Sequence, residues 1–195
     1  SLVEYKQLAN SKQYKTPTHT SYEDLEQMYW KTLSTDPPPV YGCDVGESMT
    51  DKDQKVWNIQ NLGTILNEVK DTYKQTIRGL NTPYCYFGMW RTTFSWHVED
   101  MDLHSINYHH YGMPKTWYVV PPQYGYLMER AAKELYPNIA SWCSSFMRHK
   151  TSLLSPKVMD QLGVPYQKVV QEERNAIIVF PYKFRWNSAI VPYFT

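Results

Sequence analysis

Apolar residues recur at two spacings along this chain, one helical and one strand-like. Residues 1–20 are polar and show no clear period. Leu25, Met28, Tyr29 and Leu33 then share one helical face, with Ser21 and Asp24 placed as a capping box ahead of them. The run Pro37-Pro38-Pro39 ends that helix, because proline lacks the donor N–H and restricts the residue before it. Leu62, Ile65, Leu66 and Val69 predict a second helix. Residues 84–98 are aromatic and β-branched and predict strands. So do residues 105–111 and 116–120, joined by the turn Gly112-Met113-Pro114-Lys115. A helix over about residues 123–136 carries Leu127, Ala131 and Leu135 on its stripe and stops at Pro137. Another starts at Ser155 with Pro156 first and ends near Gly163. Residues 168–172 and 176–180 return to strand. Helices, strands, inserted helices and strands in that order point to antiparallel or mixed sheets, two facing sheets among them, rather than βαβ units.

Composition narrows this picture. The chain has 195 residues and a formal net charge of +1, with 42% hydrophobic and 20% charged residues. That is enough to bury a core in one domain, and it excludes a disordered chain. The near-zero charge argues against a dedicated nucleic-acid binder. The longest apolar run, Ala176-Ile177-Ile178-Val179-Phe180, is strand-sized, so no membrane helix is expected. Three cysteines do not make a disulfide scaffold and favour a reducing compartment. The chain opens at Ser1 with no signal peptide and reads as a piece of a longer protein.

His97-Val98-Glu99 is the first chemical candidate. On a strand, residues two apart face one side, so an imidazole and a carboxylate would project together. That is two-thirds of the facial triad that holds non-haem Fe(II); the rival is a surface pair at a strand end. Lys115 follows a Gly-Met-Pro turn among aromatics. Directed inward, it needs a carboxylate or phosphate, whereas an exposed turn lysine is the commoner case. Asn107 could bond the same ligand or sit on a solvent face. Cys143 and His149 are half of a four-ligand zinc site, with a buried thiol and a surface imidazole as the alternative. Cys43 and Cys85 read as small core residues. His104, His109 and His110 read as sheet-surface histidines, because adjacent strand residues face opposite ways. Glu172 and Glu173 read as a solvated strand end.

The stretch from Asn81 through Tyr84, Cys85, Tyr86, Phe87, Gly88, Met89, Trp90, Arg91 and Phe94-Ser95-Trp96-His97 closely resembles the Jumonji C lysine demethylases. Glu99-Asp100-Met101-Asp102-Leu103, Ser105-Ile106-Asn107-Tyr108, the run from Pro114 to Pro122 and Arg148-His149-Lys150 extend the resemblance, which covers about residues 10–182. The fourth subfamily, which joins a Jumonji N segment to the Jumonji C domain and acts on trimethyl-lysine, is the most similar. The resemblance implies a mainly β fold with α decoration, a double-stranded β-helix of the jelly-roll or cupin kind, incomplete at its C-terminus. It implies that residues 1–50 are a linker after a missing Jumonji N segment and that residues 51–195 are a truncated catalytic domain. It further implies Fe(II), 2-oxoglutarate, dioxygen and a structural Zn(II), and removal of methyl groups by N-methyl hydroxylation and formaldehyde release. The implied partners are the methylated histone-3 tail, at its ninth or thirty-sixth lysine, and the nucleosome. The implied location is the nucleus, with no membrane and no sequence-specific DNA contact. Position by position, His97 and Glu99 match iron ligands. Lys115 and Tyr41 match the pair on the distal carboxylate of 2-oxoglutarate, Asn107 lines that pocket, and Phe94 and Trp117 are its walls. Gly79 and Tyr86 match positions around the methylated ammonium, Asp44 a peptide-groove acid, and Cys143 and His149 two zinc ligands.

The sequence also departs from the pattern. The third iron ligand of the family is a histidine shortly after Phe-Pro-Tyr. Here Phe180-Pro181-Tyr182 is followed by Lys183-Phe184-Arg185, and the ligand position falls on Arg185. A guanidinium has no lone pair for a metal and stays positively charged. No histidine follows His149, Arg78 replaces an acid beside Gly79, and residues 183–195 are atypical. The expectation is an impaired demethylase. The alternatives are a catalytically dead histone-peptide module and a hydroxylase of the same fold acting on another protein.

Overall fold

The polar N-terminus forms a helix after all. In the computed structural model, which describes residues 1–181 and 185–188, Leu2–Ala9 is α1. Ser1 caps it, its Oγ accepting from the Glu4 N–H at 3.4 Å while the Glu4 carboxylate accepts from the terminal amine at 2.6 Å. Only Ala9 of α1 is buried, so the apolar stripe that betrays a helix in sequence is nearly absent. The remaining elements in chain order are α2 (Tyr22–Thr32), β1 (Gly42–Val45), α3 (Ile65–Tyr73), β2 (Cys85–Phe87), β3 (Ser105–Tyr108), β4 (Lys115–Val119), α4 (Gly125–Leu135), α5 (Pro137–Trp142), α6 (Pro156–Gln161), β5 (Gln167–Gln171), β6 (Ala176–Val179) and β7 (Arg185–Ser188). No described helix is long and apolar enough to cross a membrane.

The chain divides into two compact units. The larger comprises Ser1–Pro39 and Met89–Thr195. Its strands form two antiparallel sheets, β3–β6 and β5–β4–β7. Ser105 pairs with Val179 in the first, and Lys115 pairs with Gln171 in the second. The turn at Gly112–Lys115 therefore carries the chain from one sheet to the other, which agrees with the expected antiparallel sheets. Along β4, Thr116 and Tyr118 face a helical core, whereas Lys115, Trp117 and Val119 take the opposite face. The core joins Tyr118 and Val120 to Leu25 and Tyr29 of α2, Met128, Ala131 and Ala132 of α4, and Phe146, Leu154 and Met159. Each leucine, methionine, valine or phenylalanine among them contributes about 1.5–3 kcal/mol on burial, and the alanines less.

Several boundaries differ from the periodicity. On α4 the buried positions are Met128, Ala131 and Ala132, and Leu135 is half exposed, so the stripe lies one residue round from the predicted one. Pro137 stops α4 and also opens α5, a first-turn position where its missing N–H costs nothing. Helix α2 ends at Thr32, ahead of the proline run. Buried Arg91 donates from Nη1 to the Thr32 carbonyl at 3.2 Å and also bonds the Pro37 carbonyl, placing a cation on the helix C-terminus. Ser21 Oγ accepts from the Asp24 N–H at 3.2 Å, but Asp24 returns its carboxylate to Thr20, so only half of the capping box forms. Helix α6 behaves as predicted: Ser155 Oγ accepts from the Val158 N–H at 3.3 Å, and Gly163 closes it at φ +65°.

The smaller unit is Val40–Gly88. Gly42 pairs with Phe87 and Val45 with Cys85, so β1 holds one residue more than β2 and bulges. Helix α3 buries no residue, and Leu62 precedes it. Neither Cys43, which is exposed, nor Cys85, which is half-buried, is a core residue; both lie on a two-stranded ribbon too small to enclose them.

Candidate functional site

His97 sits in an isolated β-bridge rather than in a named strand, and Glu99 lies past it. Cys85–Phe87 is the one named strand within residues 84–98, and Glu99 is extended at φ −67°, ψ 155° just before a 3₁₀ turn at Asp100–Asp102. The alternation argument therefore lacks its strand. Trp96 holds this segment instead: it is 1% exposed, its backbone N–H donates to the Ser152 carbonyl at 3.1 Å, and its indole donates to the Leu154 carbonyl at 3.1 Å. His97 is consequently buried, beside Phe94 with ring centroids 6.2 Å apart. His97 Nδ1 lies 2.7 Å from the Ser95 carbonyl. A carbonyl oxygen only accepts, so Nδ1 carries a proton, and in the neutral ring the lone pair is then on Nε2. That is the tautomer a metal requires.

Gln171, which no motif singles out, bonds Trp117 and the Asn107 backbone and is the ladder partner of Lys115. Gln171 is 1% exposed. Its Oε1 accepts from Trp117 Nε1 at 2.8 Å, and its Nε2 donates to the carbonyls of Asn107 and Asn175, each at 3.0 Å. Lys115 stands opposite Gln171 in the β4–β5 ladder and forms no ion pair among the described residues. Desolvation pushes its pKa down to about 8. Burial first, and then the Lys115 charge, hold the His109 and His110 imidazoles below their ordinary range. His109 is 3% exposed and not a surface histidine, because its backbone pairs with Arg174 and Asn175 at the β5–β6 turn. Asn107 Oδ1 is buried with no hydrogen-bond partner. In the backbone register β7 pairs Arg185 with Val119. The Arg185 side chain, Tyr182 and the rest of the atypical tail lie outside the described residues.

In the smaller unit, Tyr86 donates its phenolic proton to Asp44 at 3.0 Å. Burial, then Asp44, push the Tyr86 pKa upward, so the phenol stays neutral. Asp44 takes a left-handed conformation at φ +57° within the bulged β1. The Tyr86 ring centroid lies 6.2 Å from that of Tyr41 and 6.4 Å from that of Tyr84. Gly79 has φ +77°, and a Cβ there would lie 2.3 Å from Tyr84 Cε2. Asn81 shapes that loop, accepting from the Ile77 N–H at 2.8 Å and donating to the Gln75 carbonyl at 2.9 Å. Three phenol rings, a carboxylate and a glycine turn make a surface suited to a soft cation. Tyr84 was the missed member; on sequence it is one tyrosine among 17.

Cys143 is half-buried at the end of α5 and His149 is exposed. Among the described residues, no three His, Cys, Asp or Glu side chains gather as a metal-holding group. A cavity of about 200 Å³ opens beside Val98, Glu129, Lys133, Ser145 and Arg148 and includes none of the predicted site residues.

Residues 84–190 match the family described as JmjC domain, hydroxylase. Over 181 residues, 93% of this chain, it is 49% identical to "Probable lysine-specific demethylase 4F" of Homo sapiens, covering 28% of that protein. Over the same length it is 48% identical to "Lysine-specific demethylase 4D" of Rattus norvegicus, covering 35% of it, and 49% identical to "Lysine-specific demethylase 4B" of Mus musculus, covering 17% of it. The chain thus spans about a third or less of the curated relatives it matches. Its segment from Tyr84 to Glu99, its Lys115 strand and its strands β5 and β6 all fall inside the family match, and the chain belongs to the JmjC-domain family of hydroxylases.

Proposed function

We propose that this chain carries most of the catalytic domain of an Fe(II)- and 2-oxoglutarate-dependent histone lysine demethylase, built as a double-stranded β-helix. Its substrate is tri- or dimethyl-lysine of the histone-3 tail, at the ninth or thirty-sixth residue, in nuclear chromatin. The observation that carries the reading is His97, buried with Nδ1 against the Ser95 carbonyl inside the family-matched segment. The nearly half-identical relatives, which are lysine-specific demethylases by name, support it.

The co-substrate fits the residues present. Lys115 supplies a positive charge that no described acid neutralises, Asn107 an amide with an orphaned end, and Trp117 a wall. With Phe94 as a second wall, these would hold 2-oxoglutarate. Iron fits less well. His97 and Glu99 offer two donors, and Arg185 offers none. Iron with 2-oxoglutarate, when bound, supplies the oxidation that hydroxylates an N-methyl group, after which formaldehyde leaves. Gly79, Tyr86 and Asp44 hold the methylated lysine and its peptide. Cys143 and His149 supply half of a zinc site.

With a trimethyl-lysine histone-3 peptide, Fe(II) and 2-oxoglutarate, the chain should release almost no formaldehyde. Arg185→His should raise turnover by about tenfold or more, since even outer-shell partners of metal ligands are worth that much. Turnover equal to that of an intact relative would sink the impaired reading. The tyrosine cluster with Asp44 also favours a second reading, a histone-peptide module without catalysis. Peptide binding without iron uptake would select it.

A further inference from the structure

We infer that Gln171 is a positioning residue for a dicarboxylate: its amide fixes the Trp117 wall and the Asn107 strand around Lys115 while adding no charge of its own. The inference deepens the reading of Lys115 as the 2-oxoglutarate anchor and rests on it. Lys115 and Trp117 belong to one sheet and Asn107 to the other. A single side chain touches both, with three hydrogen bonds. A primary amide has two N–H donors and a carbonyl acceptor, and the three bonds at 2.8, 3.0 and 3.0 Å use both N–H groups and the oxygen. Trp117 in turn has its one donor satisfied, so the indole plane is held rather than merely packed.

Charge is the second half of the argument. Directly opposed residues of an antiparallel pair project to one face, so residue 171 is the cross-strand neighbour of Lys115. An acid there would neutralise the ammonium internally and compete with an incoming carboxylate. A glutamine of the same length bonds the same indole and leaves the lysine charge for the ligand. Glu172 and Glu173, the next residues along, are exposed beyond the end of β5. The acids of this segment thus begin one residue past the position where they would disable the lysine.

The test is 2-oxoglutarate titration of the full chain in the presence of Mn(II). It is read by calorimetry and by the Trp117 indole ¹H–¹⁵N resonance, which is assigned by its loss in Trp117→Phe. Lys115→Ala tests the anchor reading by itself. Gln171→Leu should weaken 2-oxoglutarate by about tenfold or more and shift the indole resonance, the size expected when buried partners are left unpaired. Gln171→Glu keeps the shape and the indole acceptor, so it serves even where the leucine variant fails to fold. It should weaken 2-oxoglutarate by at least the same factor with the circular dichroism spectrum unchanged. Affinity in Gln171→Glu within about twofold of the parent, with Lys115→Ala still impaired, overturns the inference alone. A parent chain that binds no 2-oxoglutarate overturns the anchor reading and the inference with it.

Discussion

A glycine with no side chain and a lysine with no described acid partner show most directly how single residues set this site. At Gly79 two constraints coincide, a left-handed backbone and a tyrosine ring at van der Waals range. Gly79→Ala should therefore displace the Tyr84 ring, lower stability by about 1–3 kcal/mol and weaken methyl-lysine peptide binding, as thermal melts and peptide titration would show. Lys115 gives a pH signature. Its folded pKa of about 8 lies below the ordinary 10.5, so between those values the unfolded chain holds a proton that the folded chain has lost. Stability from this group should rise with pH through that window. Dicarboxylate binding, which needs the ammonium, should fall. Urea midpoints at pH 8 and pH 9.5 check the first, and Lys115→Met should remove the rise. Lys115 itself was legible from its turn and aromatic neighbours. Gln171 was not, because its role is defined by partners 54 and 64 positions away.

Elements were legible where local chemistry decided them. Ser155-Pro156 and Gly163 bracket α6 with a cap, a first-turn proline and a left-handed stop, all short-range signals. Ser155→Ala should cost about 1 kcal/mol in chemical denaturation, since the helix end loses the side-chain acceptor of the Val158 N–H. The α2 terminus was misread because its cap is Arg91, brought in from 59 positions away. Arg91→Met should destabilise by about 1–3 kcal/mol, removing the Arg91 donor from the Pro37 carbonyl and the cation from Asp36, 3.7 Å away, while Thr32 keeps its local donors. The His97 segment was misread in the other direction. Its aromatic, β-branched sequence has strand propensity, yet Trp96 docks into the 152–154 loop and His97 makes an isolated bridge with no named strand over His97–Glu99 among the described residues. Tertiary packing overrides propensity there, and the imidazole is buried with Nδ1 against the Ser95 carbonyl.

At the scale of the molecule, the fold class followed from the order of helical and strand-like blocks, and the antiparallel pairings agree with it. Pairing partners were not legible, since many strands share the same β-branched texture. The ladders are nested, with Ser105–Tyr108 closing on Ala176–Val179 outside the Lys115–Gln171 pairing. Every such contact spans a long loop, so refolding should be slow for this length, in the millisecond-to-second range by stopped-flow fluorescence. The same nesting has a consequence on the ribosome. β3 and β4 are synthesised long before any partner strand leaves the exit tunnel, so a nascent chain halted before residue 176 carries bare hydrogen-bonding edges. Such an intermediate is a substrate for chaperones and a seed for aggregation until its last strands arrive.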